Sequence, residues 1–131
     1  MLAAHHRMAS QPMYRPDDPH TRSNDWALAH ITFHAQLIQA CGNQVLLGIC
    51  ARLSDAAELY RAWSGAWTAG GAPAQRDVAA EHRALLETAL AHDADLAGRV
   101  FEAHVDRTAE ILMDLHARGA GGGDLRAGKA R

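Results

Sequence analysis

Apolar residues recur three and four positions apart along four long stretches of this chain, and no stretch sustains the alternation of a half-buried strand, so a helical fold is expected. Ala, Leu, Glu, Arg and Gln dominate the middle of the chain, and all favour helix intrinsically. Ser23 or Asn24 serves as N-cap, with Asp25 in the first turn, to a helix expected to reach Cys41, where Gly42 supplies a left-handed stop. Asn43 caps a second helix over Gln44–Ser64, which the segment Trp67-Thr68-Ala69-Gly70-Gly71-Ala72-Pro73 breaks. A third is expected from Ala74 to Ala91, then a tight corner at His92 and Asp93, then a long fourth to Arg118, ahead of Gly119. Leu2–Ala9 reads as the last turns of a further helix whose beginning is absent, and residues 11–22, with three prolines, as a loop. The expected architecture is an all-α antiparallel helical bundle with no sheet of consequence: residues 1–22 partial helix and loop, 23–118 the folded domain, 119–131 a disordered Gly-rich tail.

At 131 residues, with 48% of them hydrophobic, the chain has room for one domain with a real core. Thirteen basic against fifteen acidic residues give a formal charge of −2, so no overall field draws it to nucleic acid or an anionic membrane. No signal-peptide pattern and no run of membrane-spanning length is present, and a cytoplasmic protein is expected. Cys41 and Cys50 are expected as free, buried thiols.

Nine histidines are the compositional oddity. His5, His6, His20 and His116 lie near the ends or at loop edges and are expected to be solvated. His30 and His34, four apart, share the stripe of Trp26, Phe33, Leu37 and Cys41. His82 shares a face with Val78, Leu85 and Ala89, and His104 with Val100, Phe101, Ile111 and Leu115. Four imidazoles on the inner sides of three helices would cost on the order of 1–3 kcal/mol each if buried without partners. One divalent cation satisfies several neutral imidazoles at once, and an i, i+4 pair joined by ligands from other helices is how bundles build internal metal sites. Zinc, nickel or another borderline divalent ion suits imidazole, and affinity order alone does not select among them; affinity is expected to fall below about pH 6.5 as the ligands protonate.

The wording around these histidines is more specific than their spacing. His30-Ile31-Thr32-Phe33-His34, then Ala40-Cys41-Gly42-Asn43, resembles the D-x-x-F-H … a-x-G-N segment of the FCD domain, the effector-binding half of FadR-type GntR transcription regulators. Glu81-His82-Arg83-Ala84-Leu85-Leu86-Glu87-Thr88-Ala89-Leu90, with Asp93, Ala97 and His104 following, is similar to a second block of that family. The resemblance covers roughly residues 24–117. It implies an antiparallel bundle of six or seven helices around a cavity, in which a metal held by an Asp and three histidines helps to bind a small organic acid effector. By position the histidine ligands are His34, His82 and His104, while His30 stands where the family has Asp. That exchange removes one negative charge from the shell. The family's winged helix-turn-helix has no counterpart here, so an effector domain shortened at its amino end is expected, with DNA reached only through the missing reader. A bundle without its opening helices would expose apolar surface, and a homodimer is expected to cover it.

Arg61, at the edge of the stripe formed by Leu46, Cys50, Leu53, Ala57 and Ser64, and Arg107, beside His104, are candidates to clamp an effector carboxylate. Trp63 and Trp67 are candidates to line a pocket. Two alternatives remain open: a metal-free dimerisation fragment of such a regulator, and a histidine-ligated helical metalloenzyme. The enzyme needs a base near the ion, yet Glu81 points about 100° away from His82 on an ideal helix, and there is neither an HExxH nor a Glu-x-x-His pair.

Overall fold

The computed structural model describes residues 1–65 and 76–121, without the side chains of residues 20, 62–65, 115 and 118–121. Trp63, Trp67 and the segment 122–131 therefore lie outside the described side chains or residues.

Helix α1 spans Leu2–Ala9. A short antiparallel hairpin follows, β1 (Tyr14–Arg15) and β2 (Asp18–Arg22), then helix α2 (Asn24–Ile38) with a 3-10 turn at Gln39–Cys41, and helices α3 (Gln44–Gly65), α4 (Val78–Leu90) and α5 (Ala94–Gly121). The described residues thus form an all-α bundle of five helices, fewer than the six or seven the family resemblance implies. The hairpin is a departure from the expected loop. Pro16 and Asp17 form its tip, and proline presets the backbone for the first central position of a tight turn. The register pairs Tyr14 with Arg22 and Arg15 with Asp18 across an irregularity.

Local capping chemistry sets the helix ends. Ser23 Oγ accepts from the Trp26 N–H at 3.4 Å, and Gly42 takes the left-handed conformation, φ 68°, that ends the 3-10 turn. Asn43 Oδ1 then accepts from the Val45 and Leu46 N–H groups at 3.1 and 3.2 Å. Helix α4 starts at Val78 rather than Ala74, because Asp77 caps it by accepting from the Ala80 N–H at 2.9 Å. His92 adopts φ 56°, an uncommon conformation for a residue with a Cβ, and turns the chain so that Asp93 can cap α5 through the Leu96 N–H. Helix α5 continues to Gly121, three residues beyond the expected end.

The core is small: Ala4 and Met8 of α1, Trp26, Ala29 and Phe33 of α2, Leu85 and Leu86 of α4, with Met13, Leu37, Val78, Val100 and Phe101 packed against it. Helix α1 rests on α2 and α4, α4 on α5, and α3 on the hairpin, α2 and α5. The face of α3 departs from expectation. Leu46, Cys50 and Leu53 point to solvent, as do Val45, Ile49 and Tyr60, and the inward side carries Leu47, Ser54, Ala57, Glu58 and Arg61. Cys41 and Cys50 are free but exposed, Cys50 because it rides on that outward stripe. His5 also differs, since it is half-buried with its ring edge-on to Phe33 at 5.4 Å. Among the described residues, no helix is long and apolar enough to cross a membrane.

Candidate metal centre

Helix α2 carries Trp26, His30, Phe33 and His34 on successive turns of one face, which brings both histidines against α4 and α5. His82 sits one turn into α4, 1% exposed, and His104 lies midway along α5, 8% exposed. The three helices bring the four imidazoles together, with one ring nitrogen from each inside a span of 4.8 Å. His34 Nε2 is 3.1 Å from both His30 Nε2 and His82 Nε2. Four nitrogens about 2.0–2.2 Å from one ion stand roughly 3.4 Å apart in a tetrahedron and roughly 3.0 Å apart at cis octahedral positions. The two short separations match cis octahedral positions and lie a few tenths of an ångström inside the tetrahedral edge, while the 4.8 Å span requires the widest pair to draw in by about 0.6 Å for trans octahedral positions or about 1.4 Å for a tetrahedron.

The far sides of two rings show which nitrogen faces inward. His82 Nδ1 lies 2.7 Å from the Val78 carbonyl oxygen, so Nδ1–H donates there and Nε2 keeps its lone pair. His104 Nδ1 is 2.8 Å from Glu81 Oε2 and 3.3 Å from Arg76 Nη2; the shorter, carboxylate contact requires a proton on Nδ1, which again leaves Nε2 as a lone pair. His34 Nε2 carries at most one proton and so cannot satisfy both neighbours at 3.1 Å. His30 Nδ1 is buried without a hydrogen-bond partner, its ring stacked on Trp26 at 4.7 Å. The cluster therefore has more inward lone pairs than protons to share. A cation is the group that satisfies all four donors together, and the donor set fits a divalent ion that prefers imidazole.

Burial holds these rings neutral. Desolvation, then the mutual repulsion of the other histidines, pushes His34 down to about 3 and His82 to about 4; His30 and His104 are also lowered, first by burial. Glu81 has a pKa below the usual carboxylate value, because hydrogen bonds from Arg76 and His104 outweigh the opposing desolvation. The charges that bear on the four rings come from Arg22, Arg61, Arg76 and Glu81.

Sequence reasoning missed Glu81 and Arg76. Glu81 does turn away from His82 on its own helix, but it reaches across to α5 and meets the back of His104. Arg76, just before α4, grips Glu81 through Nε at 2.9 and 3.1 Å and Nη2 at 2.7 Å, and ties it to Thr108 Oγ1 at 2.9 Å. The adjacent Glu81-His82 pair was the available signal, hidden because facing angles describe one helix and not its neighbour. Arg61 is half-buried and bonded to Glu58 at 2.8 Å, while Arg107 is exposed. His6 and His116 are exposed.

Because a carboxylate behind a ligating imidazole raises its basicity and fixes its tautomer, Glu81→Gln is expected to weaken zinc binding about 10- to 100-fold with helical content unchanged. Competition against a chromophoric chelator measures this; an unaltered affinity would remove Glu81 from the centre.

Searches of the curated proteins and of the solved structures returned no significant match. A family model does match, over residues 1–107, which takes in the hairpin, α2, α3, α4 and α5 as far as Arg107, all four histidines and the Glu81–Arg76 pair behind them. That match covers most of the chain and all four histidines: the chain belongs to the FCD domain family.

Proposed function

We propose that this chain is the metal-dependent effector-binding domain of a GntR/FadR-type transcription regulator, taking up a small organic acid at a divalent ion held by His30, His34, His82 and His104. FCD domains occur in transcription regulators as effector-binding units, which supports the coarser part of this reading. The single observation that carries the finer part is the convergence of four buried imidazoles whose inward lone pairs outnumber their protons. Zinc or nickel is the ion we assign, on the donor set alone. His30, in the family's Asp position, leaves the shell without a negative charge, so a bound dication keeps its full pull on an anion. Arg61 stays in the proposal as an effector contact; Arg107 faces solvent, and Arg76 brings the guanidinium nearer to His104.

Glu81, the carboxylate that touches the cluster, is engaged by Arg76 and His104 and is not placed to act as a base for an enzymatic reading. The formal charge of −2 leaves DNA contact to a winged helix-turn-helix domain rather than to these residues. We assign self-association to the outward stripe of α3, where Val45, Leu46, Ile49, Leu53 and Tyr60 are each about half or more exposed. Titration of chelator-treated protein with zinc or nickel is expected to saturate at one ion per chain, and acetate is expected to bind only to the loaded form. Light scattering on the same sample is expected to give twice the chain mass. Failure to take up either metal, with the dimer intact, would favour a metal-free dimerisation unit instead.

A further inference from the structure

Arg22, the last residue of β2, is the one half-buried cation near the cluster whose donors the protein leaves unmet among the described residues. Its guanidinium carbon lies 5.4 Å from the centroid of Trp26, the same ring on which His30 stacks. Its Nε and Nη1 are buried and have no hydrogen-bond acceptor. The carboxylate nearest to hand, Glu58, stands 3.7 Å from Nη1, beyond hydrogen-bond reach, and its other oxygen is taken by Arg61 Nε at 2.8 Å. A guanidinium removed from water without acceptors is costly, and its planar fork suits a carboxylate. Arg61 and Arg76 add further positive charge beside it, which Glu58 opposes. Water would meet the donors but not that charge.

We infer that Arg22 is a second anchor for the effector, and that the effector is therefore a small dicarboxylate, one carboxylate at the ion and the other taken by Arg22 Nε and Nη1. This rests on the metal-dependent reading above. A monocarboxylate placed on the ion leaves Arg22 as it is, whereas a dicarboxylate answers both the ion and the fork. Glu58 acts as a weak internal competitor that the ligand displaces from Arg22.

Calorimetric titration of the zinc-loaded protein with malonate, succinate, glutarate, acetate and inorganic phosphate tests this. The best dicarboxylate is expected to bind at least about tenfold more tightly than acetate or phosphate. Arg22→Gln is expected to abolish that preference while zinc affinity stays within about twofold, and Glu58→Gln to strengthen dicarboxylate binding by removing the competitor. Equal affinity for acetate and the dicarboxylates, phosphate binding as tightly as the best dicarboxylate, or a preference that survives Arg22→Gln would each overturn the inference and leave the metal reading standing. A protein that takes up no zinc would overturn both.

Discussion

His82→Ala is expected to abolish metal binding at any practical concentration, lowering zinc affinity by more than about 100-fold. Losing a partner behind a ligand already costs 10- to 100-fold, and losing the ligand itself costs more. His82 is the ring in contact with everything else in the centre: it lies 3.1 Å from His34 through Nε2, and its ring centroid is 4.9 Å from both His30 and His104. It is also packed among Phe33 and Trp26, so truncation leaves a cavity and strips the Val78 carbonyl of its donor. Destabilisation of about 2–4 kcal/mol is expected from those two losses. His104→Ala separates the effects, because it removes a ligand at the edge of the core while Arg76 still holds Glu81. Both variants are expected to lose the ion, and His116→Ala, at an exposed position, to keep it. Metal retained by both His82→Ala and His104→Ala would contradict the account.

Acid unfolding gives the second large effect. In the metal-free protein, folded-state pKa values of about 3 for His34 and about 4 for His82 lie below the 6.5 of an unfolded histidine. The unfolded chain therefore takes up protons that the folded chain refuses as pH falls below 6.5. The stability associated with the neutral rings is whole above that value and is lost as pH falls toward 4 and then 3, by about 1.4 kcal/mol per pH unit for each such histidine. Thermal unfolding in the presence of chelator is expected to show a midpoint nearly constant from pH 8 to 7 and falling steeply between pH 6 and 4.5. A midpoint that holds level from pH 7 to 5 would contradict the burial of these rings. The same shifts move the expected pH window for metal uptake. The sequence alone suggests proton competition below about pH 6.5, but rings held neutral by burial compete with protons only at lower pH, where the fold itself is failing.

What was legible in the sequence had local causes. Ser23, Gly42, Asn43 and Asp93 act within a few residues of where they stand, so the ends of α2 and the starts of α3 and α5 could be read directly. The histidine set was legible because an i, i+4 pair and two single residues each shared a stripe with apolar neighbours that are buried, Phe33 and Leu85 among them, or half-buried, as Val100 and Phe101 are. What failed had non-local causes. The apolar stripe of α3 reads as inward, but amphipathicity states only that a face seeks a partner, not that the partner belongs to the same chain. The true inner side of α3 is identified by Glu58, which faces Arg22 on the hairpin, and by Arg61, which bonds to Glu58, and three prolines had hidden that hairpin. On α4 alone Glu81 faces away from His82, and its partner His104 lies on α5, beyond what one helix's geometry reveals.

X-ray absorption at the metal edge of zinc- or nickel-loaded protein tests the central claim most directly. The account predicts a first shell of nitrogen or oxygen at about 2.0–2.2 Å with the outer-shell scattering of three to four imidazoles, and no sulfur from Cys41 or Cys50. A shell of oxygen alone, a sulfur contribution, or scattering from fewer than three imidazoles would show that His30, His34, His82 and His104 do not hold the ion together.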